Sequence, residues 1–302
     1  MTATAFQMKN WMEIVRPFAW PATLVPVLTG AFLALVQGVF HWYLFLPTIV
    51  GAILIQAGTN VINEVYDVQN GVDNPQTQGG SRVLLEGRMT SRTAWWGGVG
   101  MFAAAALIGF YLVAQVGWGL LIIGIVAIAA GYLYTGGSFA YKYVALGVPL
   151  VFLLMGPLET LASYFAQTGR FSWVPVLYGL PIGFHVTLIL QANDLRDLEW
   201  DKASGIRTVA TQLGTHKSKW LYDLLLFAPY FIVAIFAFLP FGGPFLFLPY
   251  LTLPMAWQRF VAAQHHQAGQ PDIPMLEPQS AQLHLYFGSL LAVGILLNGW
   301  IF

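Results

Sequence analysis

The sequence predicts an all-α polytopic membrane protein, with nine transmembrane helices bundled around a central cavity and a site on the cytoplasmic side. Three observations carry this: an apolar composition, repeated apolar runs of spanning length, and charges confined to one end of those runs. Hydrophobic residues make up 57% of the 302 and charged residues 9%, against roughly 25% charged in an average soluble domain.

A bilayer-spanning helix needs about 20 consecutive apolar residues, and runs of that kind fall at roughly 22–40, 43–62, 94–114, 117–134, 145–166, 173–192, 220–240, 243–262 and 282–301. Gly117-Trp118-Gly119 alone divides the third run from the fourth, and the stretch from Pro240 to Pro244 alone divides the seventh from the eighth. The whole chain, 1–302, reads as a single intramembrane domain with a weak internal repeat of 1–140 and 141–302.

Orientation follows from the basic residues. With this span count, Lys9, Arg16, Arg82, Arg88, Arg92, Lys142, Arg196, Lys202, Arg207, Lys217, Lys219 and Arg259 all fall on one face, and Arg170 alone on the other. The positive-inside rule makes the first face cytoplasmic, with the N-terminus inside and the C-terminus outside. The expected location is a prokaryotic plasma membrane, with the lipid bilayer itself as a partner. Residues 1–16 lack the apolar stretch of a cleavable signal, so none is expected. There is no cysteine, which excludes disulfide and thiol chemistry, and the net charge is zero without a basic patch, so nucleic acid is not an expected partner.

The carboxylates are the informative residues. Of 13 acidic residues, Glu64, Asp67 and Asp73 gather after the second run, and Asp194, Asp197, Glu199 and Asp201 after the sixth. Gln56, Asn60, Asn63 and Asp67 are spaced to share one helical face, as are Asp194, Asp197 and Asp201. Like charges at such spacings repel unless a cation accompanies them. Each cluster is followed by a loop with glycine and arginine, Gly79-Gly80-Ser81-Arg82 and Gly205-Ile206-Arg207. Hard Mg²⁺ binds through a few carboxylates plus substrate phosphates, so facing carboxylate sets suit Mg²⁺ around a diphosphate, with arginines and loop amides on the remaining oxygens. A secondary transporter also has many spans and a repeat, but its site normally lies at the midplane rather than at helix ends.

These residues resemble the UbiA superfamily of intramembrane prenyltransferases over nearly the whole chain. The resemblance is carried by Arg16-Pro17, by Asn63-Glu64-Val65-Tyr66-Asp67 with Gly71-Val72-Asp73, and by Asn193-Asp194-Leu195-Arg196-Asp197 through Asp201-Lys202 with Gly205-Ile206-Arg207-Thr208. Within the superfamily, Gly79–Leu84, Tyr134-Thr135-Gly136-Gly137, Gly156-Pro157 and Gln167-Thr168-Gly169 are most similar to the 1,4-dihydroxy-2-naphthoate polyprenyltransferases of menaquinone synthesis. The chain departs from the family pattern in several places. Glu64 replaces an aspartate, Asp73 lies further along than usual, Ser138 fills a lysine position, and Val148 stands where a glutamate is common, while Glu159 lies within the fifth run.

The resemblance implies Mg²⁺-dependent transfer of a polyprenyl group from a polyprenyl diphosphate to an aromatic small molecule, 1,4-dihydroxy-2-naphthoate with decarboxylation, the alternative acceptors being 4-hydroxybenzoate, homogentisate, a chlorophyllide or a haem. It implies Mg²⁺ on Asp67, Asp73, Asp194, Asp197 and Asp201 with Asn63 assisting, Asn193 and Arg16 beside the substrate, and Arg82, Lys142 and Arg207 on the diphosphate. Tyr132 and Tyr134 would face the allylic cation, a cation–π contact worth on the order of 2 kcal/mol when desolvated. Asp67, Asp197, Arg82, Lys142 and Tyr134 are thus the expected catalytic set. His265, His266, Asp272 and Glu277 fall in a proline- and glutamine-rich stretch, 264–279, that reads as a loop rather than a metal site. His185 in the sixth run reads as a hydrogen-bond donor to a neighbouring helix.

Overall fold

The computed structural model describes residues 3–74, 80–265 and 275–301. Among the described residues the chain is helical throughout, the one β contact being an isolated bridge between Val144 and Arg207. α1 (Ala3–Ile14) meets α2 (Pro21–Val36) at a sharp bend of 55°. Arg16 sits there at φ 53, and Pro17 and Pro21, which lack the N–H a continuing helix would need, each open a new helical segment.

α3 (Trp42–Gln69) runs antiparallel to α4 (Ser91–Val116), which Thr90 caps by accepting from the Thr93 amide. α5 is Gly119–Leu133. The next span is continuous over 147–168, as α6 (Gly147–Leu153), a π turn (Leu154–Leu158) and α7 (Glu159–Thr168). Pro157 cannot donate to the helical ladder, and the chain accommodates it by widening one turn. α8 (Trp173–Ala203) packs on α9 (Val209–Ala237), and α11 (Leu276–Ile301) packs on both α2 and α8.

Six of these helices are long and apolar enough to cross a membrane, or seven if the bent α1–α2 pair is one span. The remaining expected runs look different. α5 is a shorter apolar helix of 15 residues. The run expected at 243–262 begins as a 3₁₀ helix, Pro244–Thr252, and turns α-helical only in α10 (Leu253–His265). Pro244, Pro249 and Pro254 explain this, because each removes a donor from the ladder. The last helix starts at Leu276, which moves Glu277 from the expected loop into the first turn of α11.

The best-buried core lies where α8, α9, α11 and α2 meet, around Tyr178, Tyr222, Leu188, Leu226 and Phe287. Outward, Leu107 of α4 and Ile122 of α5 are well exposed, as suits a lipid-facing surface. α3, with 28 residues, and α8, with 31, are among the helices that outrun the hydrocarbon. At 1.5 Å per residue they extend roughly 42 and 46 Å, so their last turns project beyond a core about 30 Å thick. Those turns carry the acidic motifs.

The π turn meets α8 backbone to backbone. A Cβ on Gly156 would stand 2.5 Å from the Gly183 Cα, and one on Gly179 would stand 2.5 Å from the Pro157 Cα. Neither neighbour is a flexible side-chain tip, so the helices must separate to admit a methyl group. Gly156→Ala and Gly179→Ala are each expected to destabilise the protein by about 1–3 kcal/mol, read as a lower midpoint of thermal unfolding in detergent. Gly100→Ala in α4 serves as a comparison, since a Cβ there would meet nothing within 4 Å.

Candidate active site

The polar stripe of α3 and the acidic face of α8 open into one cavity of about 380 Å³. Gln56, Asn60, Asn63 and Asp67 all line it, and so do Asn193, Asp197 and Asp201 from the other side. The helical spacing that put each set on one face has therefore turned the two faces toward each other. Arg16, Asp73, Lys142 and Tyr134 complete the polar end.

Asp67 accepts from three side chains. The Lys142 ammonium donates to its Oδ2 at 2.7 Å, the Tyr143 hydroxyl donates to Oδ1 at 2.6 Å, and the Asn63 amide also donates to Oδ2. Lys142 lies in a short 3₁₀ turn, Tyr141–Tyr143, pinned by its own backbone N–H on the Tyr134 carbonyl at 3.0 Å. Burial alone would discharge Lys142, but the Asp67 carboxylate outweighs it and holds the ammonium well above the usual lysine range. The ammonium also stands 5.8 Å from the centre of the Tyr134 ring and 5.9 Å from that of Tyr143. Burial, with Asp67 adding to it, keeps the Tyr143 phenol a donor by raising its pKa.

Asp73 follows α3 in the loop, and burial, reinforced by the Asp67 charge, raises its carboxyl to about 6. Gly80, at φ 76, lets the chain pass beside it, since a Cβ there would lie 2.7 Å from the Asp73 Oδ2. Glu64 turns elsewhere. It accepts from Arg16 at 2.9 Å, from the Ser81 amide at 3.0 Å and from the Ser81 hydroxyl at 2.6 Å, fastening the α1–α2 bend to the loop after α3.

On α8, Arg196 grips Asp197 with two donors, Nε at 2.9 Å and an Nη at 2.7 Å, and sends the other Nη to Glu277 at 2.5 Å. Asn193 donates to the same Glu277 oxygen at 3.3 Å. Asp201 is buried against the cavity. Asp194 is buried too, but does not line it.

Some expected residues stand apart. Arg82, at φ 60, reaches Glu86 at 3.4 Å with its side chain 41% exposed, and lies outside the cavity wall. Arg207 is exposed, its backbone N–H on the Tyr143 carbonyl at 3.3 Å. Tyr132 exchanges a hydrogen bond with Tyr66 at 3.2 Å and does not line the cavity either. Gly79, His266 and Asp272 lie outside the described residues. His265 is exposed, its Nδ1 2.8 Å from the Val261 carbonyl. His185 is buried against the Leu226 carbonyl at 3.2 Å, a helix-to-helix contact as expected.

Arg196 and Glu277 are the site residues that sequence reasoning passed over. Arg196 had a signal, since Asn193, Arg196 and Asp197 share one helical face at i, i+3 and i+4. Glu277 had none, because only the tertiary packing of α11 on α8 brings it there.

A buried set of hard oxygen donors, with fixed cations, at the mouth of an apolar cavity suits an anionic head group on an apolar tail. The comparisons agree with this geometry. The model of the UbiA prenyltransferase family matches residues 23–275. The 1,4-dihydroxy-2-naphthoate octaprenyltransferase of Bacillus subtilis (strain 168) is 30% identical over 286 residues, covering 95% of this chain and 92% of that protein. The human UbiA prenyltransferase domain-containing protein 1 is 31% identical over 294 residues, covering 95% and 83%. Among solved structures, a UbiA homologue from Archaeoglobus fulgidus bound to DMAPP and Mg²⁺ superposes with a TM-score of 0.63 at 16% identity, covering 94% of this chain and 99% of that one. The apo UbiA homologue from Aeropyrum pernix K1 gives 0.64 at 17%, covering 91% and 97%. The chain is thus an integral membrane prenyltransferase, and it belongs to the UbiA prenyltransferase family.

Proposed function

We propose that this enzyme transfers a polyprenyl group from a polyprenyl diphosphate to 1,4-dihydroxy-2-naphthoate with loss of CO₂, using Mg²⁺. The observation that carries the reaction is the convergence of Asp67 and Asp197, each already paired with a cation, on one cavity. The acceptor rests on the similarity to the Bacillus subtilis octaprenyltransferase. The solved Archaeoglobus fulgidus homologues with DMAPP or GPP and Mg²⁺ support an allylic diphosphate and this metal.

The donor set fits Mg²⁺. Asp67, Asp73, Asp197 and Asp201, with the amide oxygen of Asn63, supply only hard oxygen ligands, and Asp194 lies just behind them. Among the described residues no three acidic or histidine groups converge into a closed cage. Mg²⁺ commonly binds through one or two carboxylates, and substrate phosphates would complete its shell here. When bound, the metal neutralises charge on the departing diphosphate.

The chain's own residues do the rest. Lys142 and Arg196 are fixed donors that take phosphate oxygens as the C–O bond breaks, and Arg16 stands beside them. Arg196 takes the place expected of Arg82 and Arg207, which do not line the cavity. The Tyr134 ring, within 5.8 Å of the Lys142 ammonium, offers its face to the allylic carbon as positive charge develops. The apolar walls contributed by α4 and α5 hold the prenyl tail and exclude water. The acceptor carbon bearing the carboxylate attacks, the new C–C bond forms, and CO₂ and diphosphate leave.

The motif ends of α3 and α8 face the cytoplasm in this reading, with α5 and the 244–265 segment completing nine spans. The packing of α3 on α4 and of α8 on α9 supports duplicated halves.

Purified protein supplied with Mg²⁺, labelled polyprenyl diphosphate and dihydroxynaphthoate is expected to form prenylated product, and removal of Mg²⁺ with EDTA to abolish it. Asp67→Ala and Asp197→Ala should each lower kcat at least ~100-fold, and Lys142→Ala ~100- to 1000-fold, the range for losing one preorganised charge-stabilising group. No product from any aromatic acceptor, or full activity in these variants, would overturn the reading. Glu277→Gln, which slackens the hold on Arg196 and Asn193, is expected to raise KM for the diphosphate several-fold, by about 1 kcal/mol, while leaving KM for the acceptor alone.

A further inference from the structure

The cavity has a second polar patch, away from the acidic motifs. Gln56 on α3, Thr23 on α2 and Glu159 at the start of α7 all line it, among Val27, Ala52, Leu158 and other apolar side chains. The Thr23 hydroxyl donates to the Gln56 Oε1 at 2.8 Å and lies beside Glu159 as well. This leaves the Gln56 amide N–H₂ without a partner among the described residues, facing the cavity.

Glu159 is the more telling member. It is an acid within a membrane span, a costly placement that marks a site. Among the described residues no base pairs with it. The three basic side chains that line the cavity are committed at its other end, Arg16 to Glu64, Lys142 to Asp67, and Arg196 to Asp197 and Glu277. The π turn at Leu154–Leu158 immediately precedes Glu159, re-aiming the helix at this point.

Position narrows the ligand. On α3, Gln56 lies seven residues below Asn63, roughly 10 Å along the axis at 1.5 Å per residue. An aromatic ring that attacks a carbon held beside the motifs would fill that gap and present its far edge to Gln56. A prenyl tail carries no group that hydrogen-bonds, so it gives this patch no partner. A carboxylate would find no cation here, so an acceptor's anionic group turns toward Lys142 and Arg16.

We propose that Thr23, Gln56 and Glu159 form a neutral-oxygen subsite that binds a phenolic or carbonyl oxygen on the edge of the aromatic acceptor remote from the diphosphate, and so selects the acceptor. The subsite rests on the acceptor being an aromatic small molecule, as proposed above. Glutamine N–H₂ supplies the donor, and the carboxyl oxygens of Glu159 accept from a phenol.

The test compares 1,4-dihydroxy-2-naphthoate with 1-hydroxy-2-naphthoate, which lacks the second hydroxyl, as ligands of the full chain in detergent. Binding is followed by quenching of tryptophan fluorescence without any prenyl donor, and prenyl transfer is assayed in parallel. The wild type is expected to bind the dihydroxy compound at least ~10-fold more tightly, the effect of a buried hydrogen bond. Gln56→Leu and Glu159→Leu are expected to lose that preference to within about twofold, with binding of a non-cleavable prenyl thiolodiphosphate unchanged. Equal affinity of the wild type for the two naphthoates overturns the subsite, and that measurement needs no variant to fold. Variants that keep the preference overturn it as well. Failure of the wild type to prenylate any aromatic acceptor instead overturns the function on which the subsite rests.

Discussion

The Asp67 carboxylate is the joint on which the site turns. It lies 4% exposed at the projecting end of α3, and an unpaired charge there would carry a severe desolvation penalty. Lys142, Tyr143 and Asn63 remove that penalty together. Because Lys142 and Tyr143 come from the turn after α5, the same bonds draw that turn across the cavity mouth. The second motif uses a parallel device. Arg196 compensates Asp197 and ties α8 to Glu277 of α11. Each motif is thus met by a cation, Lys142 from the turn after α5 and Arg196 from within α8. A diphosphate that drew those cations would leave Asp67 and Asp197 free to be paired by the Mg²⁺ of the proposed reaction.

The surroundings serve this balance. Glu64 fastens Arg16 and the loop after α3, so the bend between α1 and α2 and the first motif move as one piece. The glycine crossing of the π turn on α8 sets how closely the fifth span approaches the second motif's helix. The most extensive core lies under α8, α9 and α11, whereas α4 and α5 expose large apolar side chains. The second motif's helix is thus set in the most extensive core, whereas the first motif's helix packs on the thinner wall of α4.

Much of this was legible in the sequence, for identifiable reasons. Helical periodicity is local, so the stripe from Gln56 to Asp67 could be read directly, and all four of its residues line the cavity. The same arithmetic puts Asp194, Asp197 and Asp201 on one face; Asp197 and Asp201 line the cavity, and Asp194 is buried without lining it. Loops follow no such period. Arg82 and Arg207 looked like phosphate ligands because they follow glycines, yet Arg82 turns to Glu86 and Arg207 is exposed. Glu277 was beyond reach, since its role depends on a contact with a residue 81 positions away. Proline was read as a divider of spans at Pro240–Pro244, and its finer effects, the 3₁₀ segment from Pro244 and the π turn at Pro157, needed coordinates.

The central claim is that both motifs act on one metal-bound diphosphate. Equilibrium binding of a non-cleavable prenyl thiolodiphosphate tests it most directly, with and without Mg²⁺, in the wild type, Asp67→Asn, Asp197→Asn and the double variant. Metal-dependent binding that either single change weakens as far as the double change does is the predicted result. Binding that ignores Mg²⁺, or that responds to one motif alone, would contradict it.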